Sequence, residues 1–291
     1  MSTEIALLTN PTAGRGRSAD IVAKVLPRLH EAGFSVRDLV GRDADEALDL
    51  ARAAVDDGVE TLVVLGGDGM VHLAVQALAG TETRLGVIPG GTGNDVARNL
   101  DLPRKDPLAA TDVVIAGNER RIDLARIGSS YFVTVLAAGF DAIVNERANQ
   151  MTWPKGQMRY NLAALAELRT WRPRPYVLDI DGEEHRFDAV TVAVGNGPSF
   201  GGGLHITQGA LLDDGLLDVV AIEPISRLGM VRTYPKLFKG SHIGLPEVRQ
   251  YQGKRITVAA PGIVAYADGE RIGPLPLTIE VVPAALRVLV P

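Results

Sequence analysis

Three segments of this 291-residue chain gather residue types that handle phosphate, and each follows directly on a short apolar run. Gly66-Gly67-Asp68-Gly69 closes the run at 60–65. Glycines there let backbone N–H groups approach phosphate oxygens with no Cβ in the way. An aspartate among them would repel phosphate unless a cation lies between, so Asp68 points to Mg²⁺. Pro89-Gly90-Gly91-Thr92-Gly93-Asn94-Asp95 repeats the design one apolar run later, ending in a helix start whose dipole favours anions. Asn94 or Asp95 would also cap that helix. Asn10-Pro11, with Gly14 and Gly16, closes the first run, and Arg15 and Arg17 add cationic donors. No G-x-x-x-x-G-K-[ST] occurs, so a Walker loop is not the phosphate holder.

Other acidic motifs leave two readings open. Asp-Gly-Glu occurs twice, at Asp181-Gly182-Glu183 and Asp268-Gly269-Glu270. Asp-Gly between strands is a hairpin turn by its own chemistry, so the triplet alone does not separate a turn from a catalytic carboxylate. Asp213-Asp214-Gly215 reads as a solvated loop, or as an oxygen-ligand site for Mg²⁺ or Ca²⁺ if backbone carbonyls join it.

Strands alternate with helices through the first part of the chain. Strands are predicted at 4–9, 34–40, 60–65 and 84–88, and helices at 19–32, 43–57, 71–78 and from Asn94. That alternation predicts an α/β domain with a parallel sheet and helices on both faces. A run such as Leu62-Val63-Val64-Leu65 suits a strand buried on both sides. After about residue 121 the pattern changes to strands at 122–127, 131–137, 176–180, 189–194, 217–222, 255–259 and 264–267, with one helix at 160–171. This predicts an antiparallel, β-rich second domain, with the boundary near 118–124.

Composition narrows the class. The chain is 46% hydrophobic and 22% charged, which is globular. It has no cysteine, which excludes disulfides and thiolate zinc sites and fits a cytoplasmic setting. The N-terminus lacks the basic start and long apolar run of a secretory signal, and no segment nears the roughly 20 apolar residues of a membrane span. The net charge of −5 speaks against nucleic acid as a partner. Two windows depart from that balance. Residues 147–176 hold six cations, one acid and both tryptophans, Trp153 and Trp171. Residues 227–239 hold Arg227, Arg232, Lys236 and Lys239 with Tyr234 and Phe238 and no acid. Cations beside aromatic residues suit the interface of an anionic bilayer, so peripheral membrane contact is expected.

Taken in order, the motifs resemble the diacylglycerol kinase catalytic family, which includes bacterial lipid kinases and sphingosine and ceramide kinases. The resemblance rests on Asn10-Pro11-x-x-Gly14, Gly66-Gly67-Asp68-Gly69 and Pro89 to Asp95. It continues through Ile122-Asp123-Leu124, Gly139-Phe140-Asp141-Ala142, Gly195-Asn196, Gly201-Gly202-Gly203, Asp213 to Asp218 and Asp268-Gly269-Glu270. It implies a two-domain lipid kinase: residues 1–122 as nucleotide-binding domain, 123–283 as β-rich lipid-acceptor domain, and a strand at about 284–291 returning to the first. It implies ATP as donor, Mg²⁺ as cofactor and a lipid hydroxyl, most simply that of diacylglycerol, as acceptor. ATP would be held by Asn10, Pro11, Gly14, Arg15, Gly66, Gly67, Gly69, Gly91, Thr92, Gly93 and Asn94, with Asp95, Asp123 and Asp268 in the surrounding acidic network. Asp68 would hold Mg²⁺, and Glu270 would be the general base. Asp214, with the carbonyls of Leu211 and Leu216, would hold a second, structural metal. The lipid tails would lie against strands at 131–138 and 191–194. A homodimer is one of the assemblies left open.

The chain departs from the family where Met70 and His72 stand in place of Thr and Asn after the GGDG, and where Gln208 replaces a proline. The alternatives are a kinase acting on another acceptor, such as ceramide or a sphingoid base, phosphatidylglycerol or NAD, with NAD kinases sharing GGDG and an Asn145-Glu146 pair; a sugar kinase related by fold; and, in another class, a catalytically silent lipid-binding regulator.

Overall fold

The computed structural model describes residues 4–10, 17–153, 157–167 and 172–291. The chain divides into two compact units, Met1–Leu124 with Pro283–Pro291, and Ala125–Val282.

In the first unit the elements run β1 (Glu4–Thr9), α1 (Arg17–Glu31), β2 (Ser35–Val40), α2 (Ala44–Asp56), β3 (Thr61–Gly66), α3 (Asp68–Leu78), β4 (Arg84–Pro89), α4 (Asp95–Asn99), α5 (Pro107–Ala116) and the start of β5 (Glu119–Ile127). The sheet order is β2-β1-β3-β4, all parallel. Every residue of β3 is buried, as its unbroken apolar run demands. On one face Val25 and Leu29 of α1 and Ala110 and Val114 of α5 meet Ile5, Leu7, Val63 and Leu65. α2 and α3 cover the other face, α2 through Ala47, Ala51 and Ala54. α5 is a helix the sequence reading missed. Asp106 caps it, Pro107 stands in its first turn, and Gly117 ends it with a left-handed backbone.

The second unit adds β6 (Ser130–Phe132), β7 (Val135–Gly139), α6 (Phe140–Gln150), α7 (Gln157–Glu167), β8 (Arg174–Ile180), β9 (Glu183–Ala189), β10 (Thr191–Gly195), β11 (Leu217–Ile222), α8 (Arg227–Leu237), β12 (Val248–Gly253), β13 (Arg255–Ala259), β14 (Val264–Ala267), β15 (Glu270–Pro274) and β16 (Leu277–Leu289). A six-stranded antiparallel sheet runs β12-β11-β10-β7-β14-β15. A second antiparallel layer is β16-β13-β8-β9. Leu136, Ala138, Val192, Val194 and Val219 from the first meet Tyr176, Leu178, Ile256, Val258 and Ile279 from the second in one core. The outer face of the six-stranded sheet carries Val135, Ala193, Val220 and Ile222 beneath α6, α7 and α8, through Phe140, Val144, Ala163, Met230 and Leu237.

The expected architecture is therefore present in both units, with three corrections. Among the described residues three helices, not one, interrupt the β-rich half. The strand expected over 131–137 is two, broken at Val133 and Thr134. β7 and β10 are packed on both faces, so they do not supply the apolar surface for lipid tails that the sequence suggested. β16 serves both layers of the chain. Its early residues pair antiparallel with β13, and Arg287 and Val288 pair parallel with Arg84 and Leu85 of β4.

Candidate active site

The carboxyl ends of β3 and β4 carry the two glycine turns, the place where open α/β sheets bind ligands. The turns abut backbone to backbone. Gly90 N donates to Gly66 O at 2.8 Å. A Cβ built on Gly91 would lie 2.6 Å from Gly67 Cα, and one on Gly66 would lie 2.8 Å from Met70 Cβ. Gly91 is thus required by the close approach of the two loops, and Gly66 by the return of Met70 on its own turn, whatever they also offer to a phosphate. Asn94, buried and with φ of 50°, closes the second loop. Its Oδ1 accepts from Gly91 N at 3.0 Å and its Nδ2 donates to Gly91 O at 2.9 Å.

Asp68 opens α3, and its carboxylate reaches the start of α4. Oδ1 accepts from Asp95 N at 2.6 Å and more distantly from Val96 N at 3.4 Å. One carboxylate thus caps a helix 27 residues away. Its Oδ2 faces Gly93, where an added Cβ would lie 2.7 Å from it and 3.6 Å from Asp95 Oδ2. Asp68 and Asp95 therefore converge on Gly93. Thr92 and Gly69 are exposed on the same pair of turns. Asn10 follows the end of β1, while Pro11, Gly14 and Arg15 lie outside the described residues.

Arg98 belongs to this group and was missed in the sequence. Its side chain is 16% exposed, its Nη2 donates to Gly93 O at 3.3 Å, and its Nε lies 3.8 Å from Asp95 Oδ1. Nε and Nη1 are buried without a hydrogen-bond partner. Burial lowers the guanidinium's pKa, and the carboxylates of Asp95 and Asp68 work against that shift. A half-buried cation with unmet donors beside two carboxylates suits a phosphate with its counter-cation. The signal for it was a cation one helical turn beyond the glycine run.

The acidic side chains predicted elsewhere have structural partners of their own. Asp123 is buried in β5, and its Oδ1 accepts from Ala284 N at 2.7 Å, where Ala284 takes a φ of 51°. Asp268 is buried. Oδ2 accepts from Val133 N at 2.8 Å, and Oδ1 accepts from Thr134 N at 2.9 Å and from the Thr134 hydroxyl. Asn196 grips the same break, donating from Nδ2 to Val133 O. The two Asp-Gly-Glu triplets are twin hairpins. Asp181 and Asp268 have φ of 52° and 50°, and Gly182 and Gly269 have 95° and 89°. Asp181 also takes two backbone donors, Lys254 N and Arg255 N, but on the surface. Glu183 lies 3.5 Å from His185. Glu270 is exposed at the start of β15, and among the described residues no hydrogen bond or ion pair holds its carboxylate.

Among the described residues no three His, Asp or Glu side chains gather as a metal cluster. A Mg²⁺ at Asp68 would accordingly take one or two carboxylates and complete its shell from phosphate and water, as Mg²⁺ commonly does. The loop before β11 fits a second cation. Asp214 Oδ1 accepts from Leu216 N at 3.0 Å, and Leu211 and Asp214 are exposed. Asp218 Oδ2 is buried without a partner. Burial pushes the Asp218 carboxyl up and Asp214 adds to the shift, against the hydrogen bond from Gln252. A cation would relieve both carboxylates.

Of the departures from the family pattern, Met70 is buried against Gly66, so it serves packing. His72 is half-buried on α3, and its carbonyl accepts from the Gln76 side chain. No helix among the described residues is long and apolar enough to cross a membrane.

Comparison with known proteins agrees with this layout. Residues 4–127 match the diacylglycerol kinase catalytic domain, and residues 134–290 match the YegS C-terminal NAD kinase beta sandwich-like domain. A diacylglycerol kinase of Mycobacterium tuberculosis is 46% identical over 294 residues, covering 99% of this chain and 95% of that protein. A diacylglycerol kinase of Bacillus subtilis is 28% identical, covering 93% of this chain and 90% of that one. The crystal structure of a diacylglycerol kinase from Bacillus anthracis superposes with a TM-score of 0.82 at 25% identity, covering 99% and 97% of the two chains. An NAD kinase from Archaeoglobus fulgidus in complex with ATP, 15% identical with a TM-score of 0.53 over 98% and 93%, shares the fold alone. With its catalytic-domain match, its sandwich domain and a near full-length relative at this identity, the chain belongs to the diacylglycerol kinase catalytic family of lipid kinases.

Proposed function

We propose that this protein transfers the γ-phosphoryl group of ATP to the hydroxyl of diacylglycerol, giving phosphatidic acid. The observation that carries the reading is the grouping of Asp68, Asp95 and Arg98 around Gly93, at the meeting of two glycine turns. Phosphoryl transfer asks mainly for positioning and for neutralised charge. The glycine turns let a phosphate approach the backbone, Arg98 supplies a cation with two unmet donors, and the Asp68 carboxylate, which already caps α4, supplies negative charge for a cation to share. When bound, Mg²⁺ neutralises phosphate charge, with Asp68 and Asp95 as its protein carboxylates. Asn10, Pro11, Gly14, Arg15 and Thr92 complete the ATP contacts. Glu270, exposed and with no hydrogen bond or ion pair among the described residues, accepts the proton of the lipid hydroxyl. Asp123 and Asp268 act by holding β5 and the β14–β15 hairpin in place. Asp214 and Asp218, with the carbonyls of Leu211 and Leu216, hold a structural cation. The choice of diacylglycerol follows the printed names of the relatives.

The test is ADP release with Mg·ATP and, in turn, diacylglycerol, ceramide, phosphatidylglycerol and NAD, with the product identified by mass spectrometry. Phosphatidic acid as the main product is expected. Asp68→Asn, which keeps an acceptor for the α4 cap but loses the charge, is expected to lower kcat by about 10²-fold or more. Turnover with NAD and none with lipids would replace the lipid reading.

A further inference from the structure

The first unit has a concavity of its own at the end of the sheet away from the glycine turns. It encloses about 510 Å³, within the roughly 300–1,000 Å³ of small-molecule sites. Its walls are the end of α2, the turn between α3 and β4, and Arg287 of β16, all inside the first unit. The glycine turns follow the carboxyl ends of β3 and β4, whereas this cavity lies where those strands begin, at Glu60 and Arg84. α3 runs from one to the other. Asp68 opens it, and beyond its far end the Thr81 hydroxyl donates to Leu78 O. Eleven residues of helix put about 16 Å between the two places.

Two arginines set the chemistry of the cavity. Arg84 and Arg287 are register partners on the parallel strands β4 and β16, so their side chains leave the same face of the sheet. Like charges at paired positions repel unless anions lie beside them. Glu60 Oε2 lies 3.3 Å from Arg84 Nη2, and Glu82 Oε2 lies 3.1 Å from Arg287 Nη1. Cations and carboxylates differ in burial. The side chains of Arg84 and Arg287 are 23% and 21% exposed, and those of Glu60 and Glu82 are 71% and 75% exposed. The guanidiniums are also tied to the main chain, Arg287 Nη1 donating to Glu82 O at 2.8 Å and Arg84 Nε to Glu60 O at 3.4 Å. The two carboxylates can therefore turn into water while the cations stay, and exposed ion pairs of this kind are weak. Among the described residues Arg287 Nε is buried without a hydrogen-bond partner.

The rest of the lining narrows the occupant. A phosphomonoester carries a charge of about −1.5 to −2, which matches two adjacent guanidiniums better than one carboxylate does. Half-buried Thr81 spends its hydroxyl proton on Leu78 O, which leaves its oxygen able to accept from a ligand hydroxyl. Val55 and Val59 give a short carbon chain an apolar wall.

We propose that this cavity is a second binding site, separate from the glycine turns, for a small hydroxylated phosphomonoester. Its phosphate takes the places of the Glu60 and Glu82 carboxylates on Arg84 and Arg287, and its carbon chain lies toward Thr81 and Val55. The test is calorimetric titration of the full chain with glycerol 3-phosphate, and separately with dioctanoyl phosphatidic acid, which carries the same group on a lipid. Four variants are compared. Arg84→Gln removes a cation, and Val55→Trp fills the cavity with the charges intact. Glu82→Gln removes the competing carboxylate and keeps the main-chain tie of Arg287. Arg98→Gln alters only the glycine-turn site.

Arg84→Gln and Val55→Trp are each expected to weaken glycerol 3-phosphate binding about tenfold or more. Glu82→Gln is expected to strengthen it about two- to fivefold, because the ligand no longer displaces an ion pair. Arg98→Gln is expected to leave it unchanged. The same pattern with the lipid in place of glycerol 3-phosphate would keep the site and name a headgroup as its source. No saturable binding of either probe at about 10 mM would overturn the proposal. So would binding lost in Arg98→Gln and kept in Val55→Trp, which would put the phosphate on the glycine turns. Weaker binding by Glu82→Gln would overturn it as well, since the carboxylate would then be a ligand contact and not a stand-in for the phosphate.

Discussion

The twin Asp-Gly-Glu hairpins allow one substitution to be compared with its own control. Asp268→Asn and Asp181→Asn change the same atom in turns of the same conformation, and Asn accepts the left-handed backbone as readily as Asp. Any strain in the turn therefore cancels. What differs is the surroundings. Asp268 is 8% exposed and accepts from two backbone N–H groups and a hydroxyl, all in a buried joint. However the new amide is turned, its NH₂ meets a backbone N–H that has no other partner, and an unmet buried donor costs about 1–3 kcal/mol. Losing the charge weakens the remaining bonds by about 1 kcal/mol. The total is about 2–4 kcal/mol. Asp181 is exposed, water replaces what its amide cannot accept, and the cost is about 0.5–1 kcal/mol. With a urea slope of about 1–3 kcal/mol per molar, a gap near 2 kcal/mol separates the two midpoints by about 1 M. Urea unfolding followed by far-UV circular dichroism and by fluorescence reads this directly. Equal shifts in the two variants, or a larger one in Asp181→Asn, would refute the claim that Asp268 holds the β6–β7 joint.

Four further outcomes follow from the same structure. Glu270→Gln is expected to lower kcat by about 10²–10⁴-fold with ADP affinity unchanged, while Glu183→Gln keeps nearly full activity; steady-state lipid phosphorylation beside ADP calorimetry decides. Gly91→Ala places a methyl 2.6 Å from Gly67 Cα, so the turns must separate; a cost of about 1–3 kcal/mol and a higher KM for ATP are expected in thermal melts and initial rates. Asp218→Asn removes a buried, unpartnered carboxylate oxygen, so without metal it is expected to melt no lower than wild type and to lose the Mg²⁺- or Ca²⁺-induced rise in Tm that wild type shows. His242 is fully buried, with Nε2 2.9 Å from Ile206 O, and burial, aided slightly by His205, lowers its pKa. The unfolded chain then takes the proton first, so this contribution is complete above about pH 6.5 and is lost as pH falls below it; His242→Gln is expected to flatten that part of the pH–stability curve.

The α/β half was legible in the sequence because its signals are local. Unbroken apolar runs end in glycine, and the elements between them have helical periodicity. The β-rich half was less so, for reasons that can be named. α6 begins at Phe140 with no gap after β7, so no turn chemistry announces it. α8 contains Gly229 and Pro235, poor helix formers, and is held by tertiary packing through Met230 and Leu237. The break at Val133 and Thr134 is imposed by Asp268, more than 130 residues away, and no local pattern encodes it. The site shows the same division. The glycine turns and Asp68 were visible as motifs. That Asp68 caps α4, that Asn94 is spent on Gly91, and that Arg98 is left with open donors are facts of three-dimensional neighbourhood.

The double service of β16 has a consequence for how this protein is made. Its last residues pair with β4 and bring Leu289 into the core of the first unit, where Val114 and Ile88 already lie. Val290 N also bonds Asn118 O, and Ala284 is tied to Asp123. The strands of the first unit are therefore completed by residues translated long after them. Until the ribosome has delivered them, β4 waits as a bare strand edge, able to pair with another nascent chain. Early emergence does not bring early completion here, and a fragment stopping near residue 124 would carry every glycine turn of the site on a sheet still missing its closing strand.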